Sequence, residues 1–263
     1  MADTSMYRLP DYYDWTSEGM DGDLAYYADL AMESGGPVLE LGTGTGRVSL
    51  AIARHGIRVT GVDVEPAMLA RAQQKAEGMG LSNRCRWVES DMTRLNLEDR
   101  FPLVIIPYRS FLHLLTVRDQ VAALTQVRQH LSEDGLFVFN IFIPDIGQMV
   151  EEEDRLISRG SFPLPGSGEL VEVNDFTRFD HFHQRGDIIR YYERFDGEGR
   201  SRERLRTTFS LRYIYPAELS HLLKIAGFEV TARWGGFRRE PFGPDSTELV
   251  VEARKSQSLV NHR

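Results

Sequence analysis

Three carboxylates, a run of alternate glycines and one histidine have types and spacing that could do chemistry. Glu40 lies in Val38-Leu-Glu-Leu41, which runs into Gly42-Thr-Gly-Thr-Gly46 and then Arg47. Asp63 closes Arg58-Val-Thr-Gly-Val-Asp63, and Asp91 closes Cys85-Arg-Trp-Val-Glu-Ser-Asp91. Glycines at 42, 44 and 46 let the backbone turn sharply and approach a ligand where a Cβ would collide. An acid at the end of the strand after a glycine loop can accept hydrogen bonds from both hydroxyls of a ribose. One further along, at Asp91, can accept from an adenine amine. Strand, glycine loop and helix N-terminus in that order make a nucleotide-type site. His113 follows a fourth apolar run, Leu103-Val-Ile-Ile-Pro107. A histidine titrates near neutral pH and suits proton removal from an acceptor, so His113 is the first candidate base.

These groups must be placed by a βα scaffold, and the apolar spacing supplies one. Val38–Leu41 reads as a buried parallel strand, and helical spacing starts near Arg47 and stops at His55-Gly56. Arg58–Asp63 reads as strand two. Pro66 opens a helix with the apolar stripe Met68, Leu69, Ala72 and Ala76. Strands three to five are Cys85–Asp91, Leu103–Pro107 and Leu136–Ile143, with Thr116 and Asp119 resembling a capping box between the last two. A helix at Pro216–Ala226 and two antiparallel strands, Phe228–Trp234 and Thr247–Ala253, close the sheet at its edge. A further helix is expected over 21–33, ahead of the first strand. Ligands of parallel sheets sit outside the carboxyl ends of the strands, which puts Tyr108, Arg109 and His113 near the reacting face. Between strand five and the last helix the pattern changes. Residues 158–168 read as a linker or loop, followed by antiparallel strands at Glu169–His183, Ile188–Phe195 and Leu205–Tyr215. Alternation would put His181 and His183 on one face. The fold class is α/β: a Rossmann-like, doubly wound, seven-stranded, mostly parallel sheet with its last strand antiparallel, plus an inserted antiparallel β sheet.

Composition narrows the partners. The chain has 263 residues and a formal net charge of −8, which disfavours nucleic acid because neutralising phosphates needs a basic surface. Arg200-Ser-Arg-Glu-Arg-Leu-Arg206 is the densest basic run and reads as a solvated hairpin edge. One cysteine, Cys85, excludes an internal disulfide framework and a cysteine-based metal cluster. No stretch approaches the roughly 20 apolar residues of a membrane span, and the polar, aromatic start does not read as a signal peptide. The expectation is a cytoplasmic enzyme with no metal and no membrane partner.

The runs V-L-E-L-G-T-G-T-G-R, G-V-D-V-E-P-A-M-L and S-D-M, in that order, resemble the class I S-adenosylmethionine-dependent methyltransferases of the small-molecule type over most of residues 38–143. The resemblance implies S-adenosyl-L-methionine as cofactor and S-adenosyl-L-homocysteine as product. Glu40, Gly42 and Gly44 would line the methionine end. Asp63 would hold the ribose and Asp91 with Met92 the adenine, with Met68 at its face; Thr43, Val64 and Pro107 complete the expected cofactor set. Tyr13-Asp14 resembles a Tyr-Asp pair in many small-molecule members, where the tyrosine approaches the sulfonium. Catalytic candidates are therefore His113, Tyr13 and Tyr108, with Tyr12, Arg109, His113, His181 and Tyr213 on the acceptor side. The expected layout is an N-terminal helical cover over 1–37, a cofactor domain over 38–157 and 215–255, an inserted lid or dimerisation region over 158–214, and a tail over 256–263.

The expected reaction is methyl transfer to nitrogen or oxygen of a small-molecule acceptor, with a homodimer through the inserted sheet as a further possibility. Methyltransferases of base exocyclic amines resemble one another in an Asn/Asp-Pro-Pro-Tyr/Phe motif, where this chain has Ile105-Ile106-Pro107-Tyr108. A nicotinamide-dependent oxidoreductase is the alternative, but Arg47 stands where G-x-G-x-x-G needs its third glycine. A cofactor-binding assembly module without catalysis is the other.

Overall fold

A computed structural model of the chain describes residues 4–164 and 166–256. These fall into two compact units. One holds Gly19–Ile143 with the described part of Ile214–Arg263, and the other the described parts of Met1–Glu18 and Pro144–Tyr213.

The first unit carries seven strands: β1 (Val38–Leu41), β2 (Val59–Asp63), β3 (Cys85–Glu89), β4 (Phe101–Ile106), β5 (Leu131–Phe142), β6 (Phe228–Trp234) and β7 (Glu248–Lys255). Their order across the sheet is β6-β7-β5-β4-β1-β2-β3. β1 pairs in parallel with β2 and β4, β2 with β3, and β4 with β5. β7 is antiparallel to both β5 and β6, so it alone runs against the rest. This is the expected doubly wound sheet with an antiparallel last strand. Five α-helices accompany it: α1 (Asp23–Ser34), α2 (Arg47–Arg54), α3 (Pro66–Gly78), α4 (Val117–His130) and α5 (Pro216–Ile225). All four residues of β1 are buried, as a central strand covered on both faces requires. Tyr27, Leu30, Val48, Ile52, Leu103 and Val138 belong to the cluster that fixes α1 and α2 against the sheet. At α4 the Thr116 hydroxyl accepts from the Asp119 N–H at 3.1 Å and donates to its carboxylate at 2.6 Å.

The second unit is a five-stranded sheet with the helices Pro10–Thr16 and Ile146–Glu152. Leu156–Pro163, Leu170–Asp180, Arg185–Phe195 and Ser201–Arg212 form an antiparallel run, and Thr4–Ser5 pairs in parallel with the last of these. Two features differ from the sequence expectation. Leu156–Pro163 is an edge strand where 158–168 reads as a loop; Gly160, Pro163 and a register shift between Ser158 and Gly160 hide its alternation. The strand before His181 stops at Asp180, because residues 181–184 turn the hairpin.

The unit boundaries also fall elsewhere than the expected 37, 157 and 214. Thr4–Ser5 pair with Thr207 and Thr208, and the Tyr12 ring lies 5.1 Å from that of Tyr192. The N-terminal residues therefore pack with the inserted sheet, whereas α1 packs with the cofactor sheet. Of the expected tail, all but Ser256 lies outside the described residues. Among the described residues, no helix is long and apolar enough to cross a membrane.

Candidate active site

The glycine loop and the acid of β2 form one hydrogen-bonded assembly. Gly42, Gly44 and Gly46 all have positive φ, at 70°, 55° and 79°, where an L side chain is strained. The amides of Gly42 and Thr43 both donate to the Val62 carbonyl, at 2.8 and 2.9 Å. The amide of Gly44 donates to Asp63 Oδ2 at 2.7 Å, and that of Glu65 to Oδ1 at 3.0 Å. Burial pushes the Asp63 carboxyl pKa up, and the Glu65 and Gly44 amides oppose it. Each carboxylate oxygen keeps a further lone pair with which to accept from a ribose hydroxyl.

The space around the loop tests whether such a ligand fits. A Cβ on Gly42 would stand 2.7 Å from Ser110 Cβ, and one on Gly46 or Gly61 would meet the Trp87 ring at 2.9 or 2.6 Å. At Gly44 a Cβ would meet nothing within 4 Å. The loop is thus braced by Trp87 and Ser110 and open at Gly44, beside the Asp63 carboxylate. A ribose-bearing ligand fits that donor and acceptor set.

Glu40 supports the loop from beneath. It is 2% exposed, and its carboxylate accepts from the Ser49 hydroxyl, which lies 3.0 Å from Thr43 Oγ1. Burial pushes its pKa up to about 7 despite Ser49, Arg47 and Thr43. Glu40 and Thr43, both buried, reach the site through this cluster rather than by lining its surface. Ser49, at the third position of α2, went unread in the sequence because a serine on a helix carries no ligand signal.

The expected adenine end is only partly assembled as read. Asp91 Oδ1 accepts from the Thr93 amide and hydroxyl, both at 2.8 Å. Burial works against it, yet those bonds and the Arg94 guanidinium hold the Asp91 carboxyl below the usual range. A cavity of about 510 Å³ joins Asp91, Thr93 and Arg94 to His113, Leu115 and Arg118. His113, on the 3₁₀ turn Ser110–His113, therefore stands on the Asp91 side of the site. The Met92 methyl lies 3.6 Å from where a Gly42 Cβ would be. Val64 is exposed. Met68 is 1% exposed and packs as a core methionine, so it leaves the adenine set. Pro107 is buried, and its carbonyl accepts from the Ser110 amide at 3.2 Å and hydroxyl at 2.8 Å.

Beyond Pro107 the backbone turns left-handed at two non-glycine residues, Tyr108 and Arg109 (φ 55° and 64°). The Arg47 guanidinium lies 5.4 Å from the Tyr108 ring centroid and pairs with Asp23 of α1. The Arg109 side chain, 41% exposed, is bound in fork fashion to Glu248, with Nη2 2.6 Å from Oε2 and Nε 3.1 Å from the same oxygen. The sequence shows no sign of this pairing, which spans 139 positions.

In the second unit Tyr12 is a core residue, against the expectation that it binds substrate. Its hydroxyl donates to Glu203 at 2.5 Å and its ring packs on Trp15 and Tyr192. Tyr13, half-buried on the same helix, has its ring 6.1 Å from that of Tyr7. Tyr213, also expected on the acceptor side, is 1% exposed, and its hydroxyl meets His181 Nδ1 at 2.9 Å. His183 pairs instead with Asp180 at 2.7 Å. The two histidines do not share a strand face, because the hairpin turn begins at His181. Among the described residues no group of three His, Cys, Asp or Glu could hold a metal ion.

Comparison with known proteins agrees with this geometry. Residues 38–135 match the family described as a methyltransferase domain. The chain is 27% identical over 244 residues to the putative methyltransferase YqeM of Bacillus subtilis, covering 89% of this chain and 90% of that one. It is 27% identical over 241 residues to a glycine/sarcosine N-methyltransferase of Parasynechococcus marenigrum, covering 91% and 79%. Among solved structures it is similar to the CcbJ methyltransferase of Streptomyces caelestis, with a TM-score of 0.80, 27% identity and coverage of 96% and 98%. Fold, glycine loop, strand-end acids and matched stretch agree: residues 38–135 are a methyltransferase domain, on the fold of the class I S-adenosylmethionine-dependent methyltransferases.

Proposed function

We propose that the chain transfers a methyl group from S-adenosylmethionine to an amine nitrogen of a small molecule. The observation that carries the donor side is the Gly44–Asp63 assembly, open at Gly44 and supplied with ribose acceptors. Three things support an amine acceptor of modest size. A relative aligned along 91% of this chain is named for N-methylation of glycine and sarcosine. The net charge of −8 disfavours a polyanion. The segment Ile105–Tyr108, at the end of β4, offers no side-chain amide or carboxylate to hold a base amine.

When bound, S-adenosylmethionine supplies a methyl group already activated on a sulfonium. The protein's part is then alignment and exclusion of water, and alignment alone can supply roughly 7–11 kcal/mol. In this reading Gly42 and Gly44 shape the methionine end, Asp63 fixes the ribose, and Asp91 with Met92 and His113 bounds the adenine end. Tyr108 stands on the acceptor side. His113 is a binding residue here and not the base, because the cavity it lines is the one that Asp91 lines. A cytoplasmic location and a homodimer through the five-stranded sheet belong to the same proposal, the dimer because Leu156–Pro163 stands at the sheet's edge.

The test is incubation with methyl-labelled S-adenosylmethionine and three panels: small amines, matched alcohols, and RNA and DNA oligonucleotides. Label in amines is expected. Label confined to alcohols or to nucleic acid would overturn the acceptor reading.

A further inference from the structure

The left-handed turn at Tyr108 and Arg109 needs something to hold it, since non-glycine residues adopt that conformation only where their surroundings impose it. The holding groups lie on the far side of the sheet sequence. Glu248 opens β7, its side chain is 5% exposed, and both its oxygens face Arg109. Glu248 Oε1 also accepts from Asn140 Nδ2 of β5 at 2.6 Å, and Asn140 Oδ1 accepts from the hydroxyl of Tyr27, itself fully buried on α1.

The backbone ladder already fixes these strands, pairing Glu248 with Phe142 and Val250 with Asn140. The sheet therefore does not require a carboxylate and an amide there. A buried carboxylate is costly unless paired, and apolar residues would serve packing as well or better. What the polar pair does is aim one guanidinium. Arg109 is followed at once by Ser110, whose hydroxyl lies 3.5 Å from the Gly42 carbonyl and whose Cβ leaves no room for a side chain on Gly42.

Resting on the methyltransferase reading above, we propose that Glu248 and Asn140 are positioning residues for the methionine end of the cofactor site. They act through Arg109, which sets Tyr108 and Ser110 against the glycine loop. They touch no reacting atom themselves.

Calorimetry with two probes tests this: S-adenosylhomocysteine, and 5′-methylthioadenosine, which lacks the amino-acid end. Glu248→Ala and Asn140→Leu should weaken S-adenosylhomocysteine at least 10-fold and change 5′-methylthioadenosine less than 2-fold. The near-isosteric Glu248→Gln keeps one acceptor for Arg109 and should give an intermediate loss; it decides the matter if the other variants do not fold. Unchanged S-adenosylhomocysteine affinity, or equal weakening of both probes, overturns the proposal. Failure of the methyltransferase reading looks different, since the wild-type chain would then take neither probe.

Discussion

The amide of Gly44 donates to Asp63 Oδ2 at 2.7 Å, which ties the glycine loop after β1 to the acid that ends β2. The two features, 19 positions apart, are one structural element. Asp63 shapes the loop, and in the proposed function its remaining lone pairs hold a ribose.

Asp63→Ala should therefore lose more than a ribose contact. It leaves the Gly44 and Glu65 amides without their acceptor. Hydrogen bonds to a charged group are worth about 1.5–3 kcal/mol, so affinity for S-adenosylhomocysteine should fall on the order of 10- to 100-fold. Asp63→Asn, which keeps one acceptor oxygen, should lose less. Calorimetry on both variants checks the ranking, and equal affinities for wild type and Asp63→Ala would refute the role.

The three loop glycines should not be equivalent. Gly44→Ala places its Cβ in open space, so the protein should fold with a strain cost of about 1–2 kcal/mol while cofactor binding is lost. Gly42→Ala drives a Cβ into Ser110 and should lower the melting temperature much further. Thermal denaturation with and without S-adenosylhomocysteine separates the two. A Gly44→Ala protein that binds normally would show that the open side faces no ligand.

Glu40 gives the pH dependence. Its folded-state pKa is raised by burial to about 7 from the usual 4.5. Between those values the folded chain keeps a proton that the unfolded chain has released. Its contribution to stability is thus full below about pH 4.5 and is lost as pH rises through about 7. At 1.36 kcal/mol per unit the difference amounts to roughly 3 kcal/mol. Denaturant unfolding of wild type and Glu40→Gln at pH 5 and pH 8 should show the wild type losing ground at the higher pH. A constant gap between the two would contradict this.

His113 separates a binding role from a catalytic one. A general base contributes about 10²–10⁴-fold to rate, so His113→Ala in that role would depress kcat by such a factor. Standing beside Asp91, it should instead raise the Kd for S-adenosylhomocysteine by a few-fold and leave kcat within about 10-fold. Met68→Ala offers a control from the core: about 2–5 kcal/mol of destabilisation with cofactor affinity of the folded protein unchanged.

Much of the scaffold was legible because buried parallel strands read as apolar runs and because the glycines and strand-end acids follow one another locally. Glu40, Gly42, Gly44, Asp63 and Asp91 could be placed for that reason. What stayed hidden depends on distant pairing. Arg109 and Tyr12 both read as acceptor-side residues until Glu248 is beside the one and Tyr192 and Glu203 enclose the other. Met68 fits both a ligand contact and a helix stripe, and only its burial decides between them. The edge strand Leu156–Pro163 carries Gly and Pro in a half-exposed pattern, which local composition cannot tell from a loop.

The most direct measurement is titration of the purified wild-type chain with S-adenosylhomocysteine, with nicotinamide dinucleotide as the parallel ligand. Saturable one-to-one binding of S-adenosylhomocysteine, displaced by S-adenosylmethionine, is expected, with no heat from the dinucleotide. Binding of the dinucleotide in the absence of any S-adenosylhomocysteine binding would contradict the account.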